Sequence, residues 1–138
     1  MTCGPYRPIS LVVYQTRLSC VNTRASVSNA PHLKPNLKVD IDISGAIDES
    51  DAIRCVLRKS GNEGIIRDET IQVPFTDRDE DSSKLTLEGL FDWNLDGEVS
   101  MWWPIGYGQQ DLYDVEITLL SKVSTSDSKI LAAYLNRA

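Results

Sequence analysis

The side chains best suited to chemistry in this chain are acidic and clustered. Asp48, Glu49 and Asp51 form one group, and Asp77, Asp79, Glu80 and Asp81 form another. A pair of carboxyl groups on either side of a glycosidic bond can cleave it, one as acid/base and the other as nucleophile. That work needs a pocket that raises a pKa or fixes a carboxylate in place. Neither group is embedded in apolar or aromatic sequence, and both fall in polar, turn-forming runs. They read as solvated surface charge, and no catalytic residue is assigned among them.

The second acidic group also invites a metal. Asp77, Asp79, Asp81 and Glu88 stand at positions one, three, five and twelve of a calcium loop. The rest of the pattern fails. Ser82 occupies position six, where the sharp turn wants glycine, and Lys84 occupies position eight, where an apolar residue is usual. The flanks, Thr70 to Phe75 with Pro74 and Leu85 to Leu90, read as strands and not helices. An acidic inter-strand loop is the expectation, with no metal ligands.

His32 is the sole histidine, so a histidine-based triad or a multi-histidine metal site is excluded. Between Pro31 and Leu33 it reads as a turn residue with a structural role. Cys3, Cys20 and Cys55 are odd in number and widely spaced, giving neither a disulfide framework nor a zinc pattern. They fit a reduced compartment, with Cys20 and Cys55 as small strand residues. Gly106 and Gly108 precede a strand, whereas a phosphate-cradling loop precedes a helix. Trp102 and Trp103 could stack on sugars. The stronger reading places one of the two in the core and the other against a neighbouring domain. The sequence therefore assigns no catalytic, cofactor-binding or metal-binding residue, and no cofactor.

The whole chain is consistent with that restraint. Its 138 residues suffice for one domain with a real core. The net charge is −6, with no long Lys/Arg run, which argues against nucleic acid or an anionic membrane as partner. No apolar run approaches the roughly 20 residues of a membrane span. The N-terminus, MTCGPYRP, lacks the charged head and apolar stretch of a secretory signal. The expected location is cytoplasmic.

The elements that would hold these residues are strands. From Val99 to Leu120 the chain reads VSMWWPIGYGQQDLYDVEITLL. Tyr113, Val115, Ile117 and Leu119 alternate with Asp114, Glu116 and Thr118, the period-two pattern of a half-buried strand. Pro104 holds Trp103 extended, and Gly106 and Gly108 allow a tight corner. The stretch is thus an aromatic strand end, a corner and a strand. Upstream, Ile9 to Tyr14 is a short strand and Arg17 to Ala30 the first strand of the main domain. Leu37, Val39, Ile41 and Ile43 alternate with Lys38, Asp40, Asp42 and Ser44 in the clearest second strand. A third carries Ile53, Cys55 and Leu57 against Arg54, Val56 and Arg58. Ile65 to Val73 is a fourth, and Leu85, Leu87 and Leu90 mark a fifth. Asp96-Gly97 is a two-residue turn signal. A capped helix fits only one window, Ser126 to Leu135. Short strands with turn signals between them imply an all-β, antiparallel β-sandwich.

The run Trp102-Trp103-Pro104-x-Gly106-Tyr107-Gly108-x-Gln110-x-Leu112-Tyr113 resembles the "WWP-x-GYG-x-Q-x-LY" signature of β-mannosidase-like proteins in glycoside hydrolase family 2. There it lies in an immunoglobulin-like β-sandwich domain. Gly4-Pro5-Tyr6-Arg7-Pro8-Ile9 is similar to the family's "GPWRPI" segment, with Tyr6 where Trp is usual. The resemblance implies that residues 1–14 are the end of an N-terminal sugar-binding-like domain and linker, and that 15–138 are a truncated immunoglobulin-like domain. The family's "WDWGP" stretch lies upstream of where this chain begins. Its catalytic glutamates lie in a barrel that follows the sandwich, so neither carries over to a residue here. Ser126 to Leu131 still follows the family's path to the last strand, but Ala132 to Ala138 departs from it, so that strand is expected to be missing or replaced.

The function so implied is a non-catalytic spacer between the N-terminal domain and the catalytic barrel of an enzyme that hydrolyses terminal β-mannose residues in carbohydrate metabolism. The isolated chain is not itself an enzyme. Its partners would be the remaining domains of the parent glycosidase, with no nucleic acid and no membrane, and an open sheet edge would favour self-association. The rival reading is a stand-alone carbohydrate- or protein-binding module using the tryptophan patch.

Overall fold

A computed structural model of the chain describes residues 11, 13–29, 31–62, 64–74, 84–122 and 128–137, with 122 and 128–137 described by their backbone. Seven strands follow one another: β1 (Thr16–Val27), β2 (Pro35–Gly45), β3 (Ala52–Lys59), β4 (Ile65–Gln72), β5 (Lys84–Asn94), β6 (Tyr113–Lys122) and β7 (Ser128–Arg137). They form two sheets, one ordered β1-β2-β5 and the other β4-β3-β6-β7. All pairings are antiparallel. The described residues contain no helix. This is an immunoglobulin-like β-sandwich.

The alternation of β2 and β6 explains why the sheets face each other as they do. Leu37, Val39, Ile41 and Ile43 point into the core from one sheet, and Val115, Ile117 and Leu119 from the other. Tyr113 is half-buried against the same cluster. Ile53, Cys55 and Leu57 of β3 belong to the second face, beside β6. Val56 departs from the expected pattern: it is buried although it faces outward. Its cross-strand neighbours are Asp68 and Glu116. Arg54 pairs with Asp68 and Arg58 with Glu116, so long side chains lie over the valine on both sides.

In β5 the core residues are Leu87, Phe91 and Trp93. Leu90, expected to mark this strand's face, is only partly buried. The register slips between Val39 and Ile41, whose partners are Phe91 and Leu87. The extra residues of β5 bulge around Gly89, whose N–H donates to Asp40 Oδ1 at 2.8 Å.

The structure decides several further expectations. The window Ser126 to Leu135 holds no described helix: Ser128–Arg137 is strand β7, paired from Asp114–Arg137 to Lys122–Ser128. Of the alternatives for the last strand, missing or replaced, a strand is present with its own sequence. Val99 to Trp103 is loop and not a strand end, and Leu11, Val13 and Tyr14 belong to no strand; the other residues of the proposed Ile9–Tyr14 strand include Ile9 and Val12, outside the described set. Asp96-Gly97 does form a turn, with Glu98 N–H donating to Leu95 O at 3.0 Å. It makes no hairpin, because β5 and β6 lie in opposite sheets.

The register defines two poles. Thr16, Gly45, Ala52 and Leu120 share the lower pole; Val27, Pro35, Asn94, Lys59, Tyr113 and Arg137 share the upper one.

Candidate functional site

The loop from Leu95 to Leu112 crosses the upper pole between the sheets. Leu95 anchors its start: the side chain is buried and its N–H donates to Pro35 O at 2.9 Å. Glu98 then pairs with both donors of the Arg67 fork, which holds its carboxyl below the usual range. Ser100 is held by Tyr113, whose hydroxyl accepts from Ser100 N–H at 2.7 Å and donates to Ser100 O at 3.2 Å.

The corner itself is a set of interlocking parts. Tyr107 N–H donates to Pro104 O at 3.0 Å, closing a turn in which Gly106 has φ 91°. That angle is the reason for glycine at the third turn position. Trp103 N–H donates to Gln109 O at 2.9 Å. The Gln110 side-chain amide donates to Trp103 O at 2.9 Å and to Gly108 O at 3.0 Å. A Cβ on Gly108 would lie 2.7 Å from Cγ and Cδ1 of Trp103, so the indole rests against bare backbone there. Beyond the corner, Asp111 accepts from Lys59 Nζ at 2.9 Å, raising the lysine's pKa, and Leu112 O accepts from Ser60 N–H at 2.8 Å. Trp103, Pro104, Gly106, Gly108, Gln110, Leu112 and Tyr113 of the signature therefore each have a structural duty.

What the frame does not consume, it projects. Trp102 is 56% exposed, Trp103 45%, Ile105 89% and Tyr107 83%. The expectation that one of the two tryptophans enters the core is not met. The tryptophan of the core is Trp93, 4% exposed, edge-on to Phe91 with ring centroids 5.6 Å apart. The sequence carried one signal for it: Trp93 has the same strand parity as Leu87 and Phe91. Below the loop lies an apolar groove of about 520 Å³, with Val27, Leu37, Leu57, Val99, Trp102 and Leu112 in its walls.

Among the described residues, the acidic candidates are not gathered into a site. Asp51, expected to be solvated, is buried, because its carboxylate caps the β2–β3 turn: Asp48 N–H donates to Oδ2 at 2.9 Å. Its backbone O accepts from Val73 N–H at 2.9 Å. Asp77, Asp79, Glu80 and Asp81 lie outside the described residues, and Glu88 is an exposed residue of β5. His32 is exposed in the β1–β2 turn, its carbonyl accepting from Ser28 Oγ at 3.0 Å. Cys20 is exposed in β1 and Cys55 buried in β3. Burial first, then the charges of Glu69 and Asp68, pushes the Cys55 thiol up to about 12. A thiol with that value is no nucleophile near neutral pH. Among the described residues no three His, Cys, Asp or Glu side chains are grouped to hold a metal ion. No described helix is long and apolar enough to cross a membrane.

No family model matches the chain. Over 139 aligned residues it is 28% identical to β-mannosidase B of Thermothelomyces thermophilus, a match covering 100% of this chain and 14% of that protein. Among solved structures it is similar to β-glucuronidase 2 of Bacteroides uniformis bound covalently to cyclophellitol-6-carboxylate aziridine, with a TM-score of 0.54, 12% identity, and coverage of 89% of this chain and 14% of that one. A second β-glucuronidase structure from Bacteroides uniformis aligns with a TM-score of 0.49 and 11% identity. The chain thus spans about one-seventh of the length of the relatives it matches.

Proposed function

We propose, from the premise that this chain resembles β-mannosidase-like proteins of glycoside hydrolase family 2 along its whole length, that it is a non-catalytic sandwich segment of such an enzyme. In that role it joins an N-terminal domain to a catalytic barrel and holds the two in register. The parent would hydrolyse terminal β-mannose residues, and the partners of this segment would be the parent's other domains. The observation that carries the reading is the corner at the upper pole. Its backbone groups and the Gln110 amide bond to one another, and its aromatic side chains are exposed around that frame. Such a surface serves contact and offers no acid/base pair.

The test compares the chain alone with a longer protein that contains it. The chain should release no 4-nitrophenol from the aryl β-mannoside above background, and the longer protein should turn it over. Turnover by the chain alone, surviving removal of trace host enzymes, would overturn the reading. The rival, a stand-alone carbohydrate- or protein-binding module, draws on Trp102 in the groove wall. Saturable binding of manno-oligosaccharides by the isolated chain would favour it.

A further inference from the structure

We infer that the upper-pole surface docks the folded domain that follows this segment in the parent polypeptide, and not the one that precedes it. The inference rests on the multidomain reading above and adds a direction to it. Strand polarity supplies that direction. Thr16 begins β1 opposite Gly45 at the lower pole, so a preceding domain arrives there. Arg137 ends β7 opposite Asp114, one residue from Tyr113 where the aromatic loop enters β6. A polypeptide running on past Arg137 therefore leaves beside the loop, and its next folded unit is held at high effective concentration over that pole.

The exposed aromatic side chains of the loop, Trp102, Trp103 and Tyr107, lie at this same pole. Val27, Leu33 and Ile65 are exposed at the same pole, on other strands and turns. Trp102, Trp103, Ile105 and Tyr107, exposed together in one loop, make an aromatic patch unlike the scattered apolar residues usual on a monomer. Its aromatic and aliphatic mixture is that of an interface centre. A sugar site would set polar side chains around a stacking ring. Here the wall that holds Trp102 is mainly apolar, with Val27, Leu37, Leu57 and Leu112, and its Asp111 is spent on Lys59. The partner surface is thus an apolar face of the following domain.

The experiment is oxidative footprinting of aromatic side chains in a longer protein containing this segment. One form carries a protease site before Thr16 and another carries one after Ala138, and the isolated chain is footprinted at a concentration where it is monomeric. Trp102, Trp103 and Tyr107 should react several-fold more slowly in the longer protein than in the isolated chain. Release of the following part should restore their reactivity, and release of the preceding part should not. Restoration by removing the preceding part would overturn the inference. So would equal reactivity in the longer protein and the isolated chain, including the case in which added mannobiose alone protects the rings. Aryl β-mannoside turnover is measured in parallel: a longer protein without turnover but with the expected footprint polarity removes the mannosidase reading and leaves the docking direction intact.

Discussion

Trp93 of β5 donates its indole N–H to the Glu69 carboxylate of β4, tying the edge of one sheet to the edge of the other. Two residues away on β4, Arg67 reaches the same side of the sandwich and donates to Asn94 O at 3.3 Å and to Glu98. A sandwich has no backbone hydrogen bonds between its layers, so these side chains close a seam that the core alone would leave to packing.

Replacing Trp93 by Phe keeps a ring in the core and removes the donor. A hydrogen bond to a charged group contributes about 1.5–3 kcal/mol, and the exposure of Glu69 puts the loss at the low end. Urea unfolding should show it, while Trp93→Ala should lose about 3–5 kcal/mol through the cavity. A Phe variant with the parent's midpoint and slope would mean that the seam is held by packing alone.

Ile117 lies fully buried in β6, and Glu116 beside it faces outward in partial contact with solvent. Ile117→Ala should cost about 2–5 kcal/mol. Glu116→Ala should cost about 1 kcal/mol or less, since its pair with Arg58 is half-exposed. Equal effects would contradict the register of β6.

Gly108→Ala tests the corner. The added methyl would meet the Trp103 ring at 2.7 Å, so the indole must move off the backbone. The near-ultraviolet circular dichroism of the tryptophans should weaken, and stability should fall by about 1–3 kcal/mol. An unchanged spectrum would show that the ring does not rest there in solution.

Acid should loosen the chain through its carboxylates. The hydrogen bond from Lys84 lowers the pKa of Asp42, that from Arg54 lowers Asp68, and that from Arg67 lowers Glu98. A carboxyl whose folded pKa is depressed stabilises the fold above its unfolded value, and this contribution is lost as pH falls through the folded value. Urea midpoints should therefore hold between pH 7 and about 5 and then decline below about 4, where unfolded Asp and Glu take up protons. Asp68→Asn should flatten the decline. A midpoint independent of pH down to the acid limit would dismiss these pairs as contributors.

The isolated chain should self-associate through its aromatic patch. Strand β7 pairs with β6 along its length, so β6 is not left as an open edge. Trp102, Ile105 and Tyr107 nevertheless stay uncovered, and such patches promote association. Size-exclusion chromatography at rising concentration should show earlier elution, abolished by Trp102→Gln with Ile105→Ser and Tyr107→Ser. A monomer at every concentration would refute this.

Local pattern alone determined a good part of this molecule. A strand with one buried face must alternate, so β2 and β6 and their inward residues, Leu37 to Ile43 and Val115 to Leu119, were legible directly. The corner at Pro104, Gly106 and Gly108 was legible too, because proline and glycine restrict or free the backbone wherever they stand. Tertiary structure decided what pattern could not. Whether an aromatic ring lies inside depends on what faces it, and only the assembled sheets place Trp93 over Phe91 while turning Trp102 and Trp103 outward. Asp51 read as surface charge until the turn it caps folded over it. Ser128–Arg137 carried weak helical hints, yet it pairs with β6, since a half-sheet's unpaired N–H and C=O groups outweigh a small local propensity. The poles are longer-range still: that the aromatic corner stands at the opposite end from Thr16 depends on pairing β3 with β6, Ala52 with Leu120 and Lys59 with Tyr113, which no window of sequence contains.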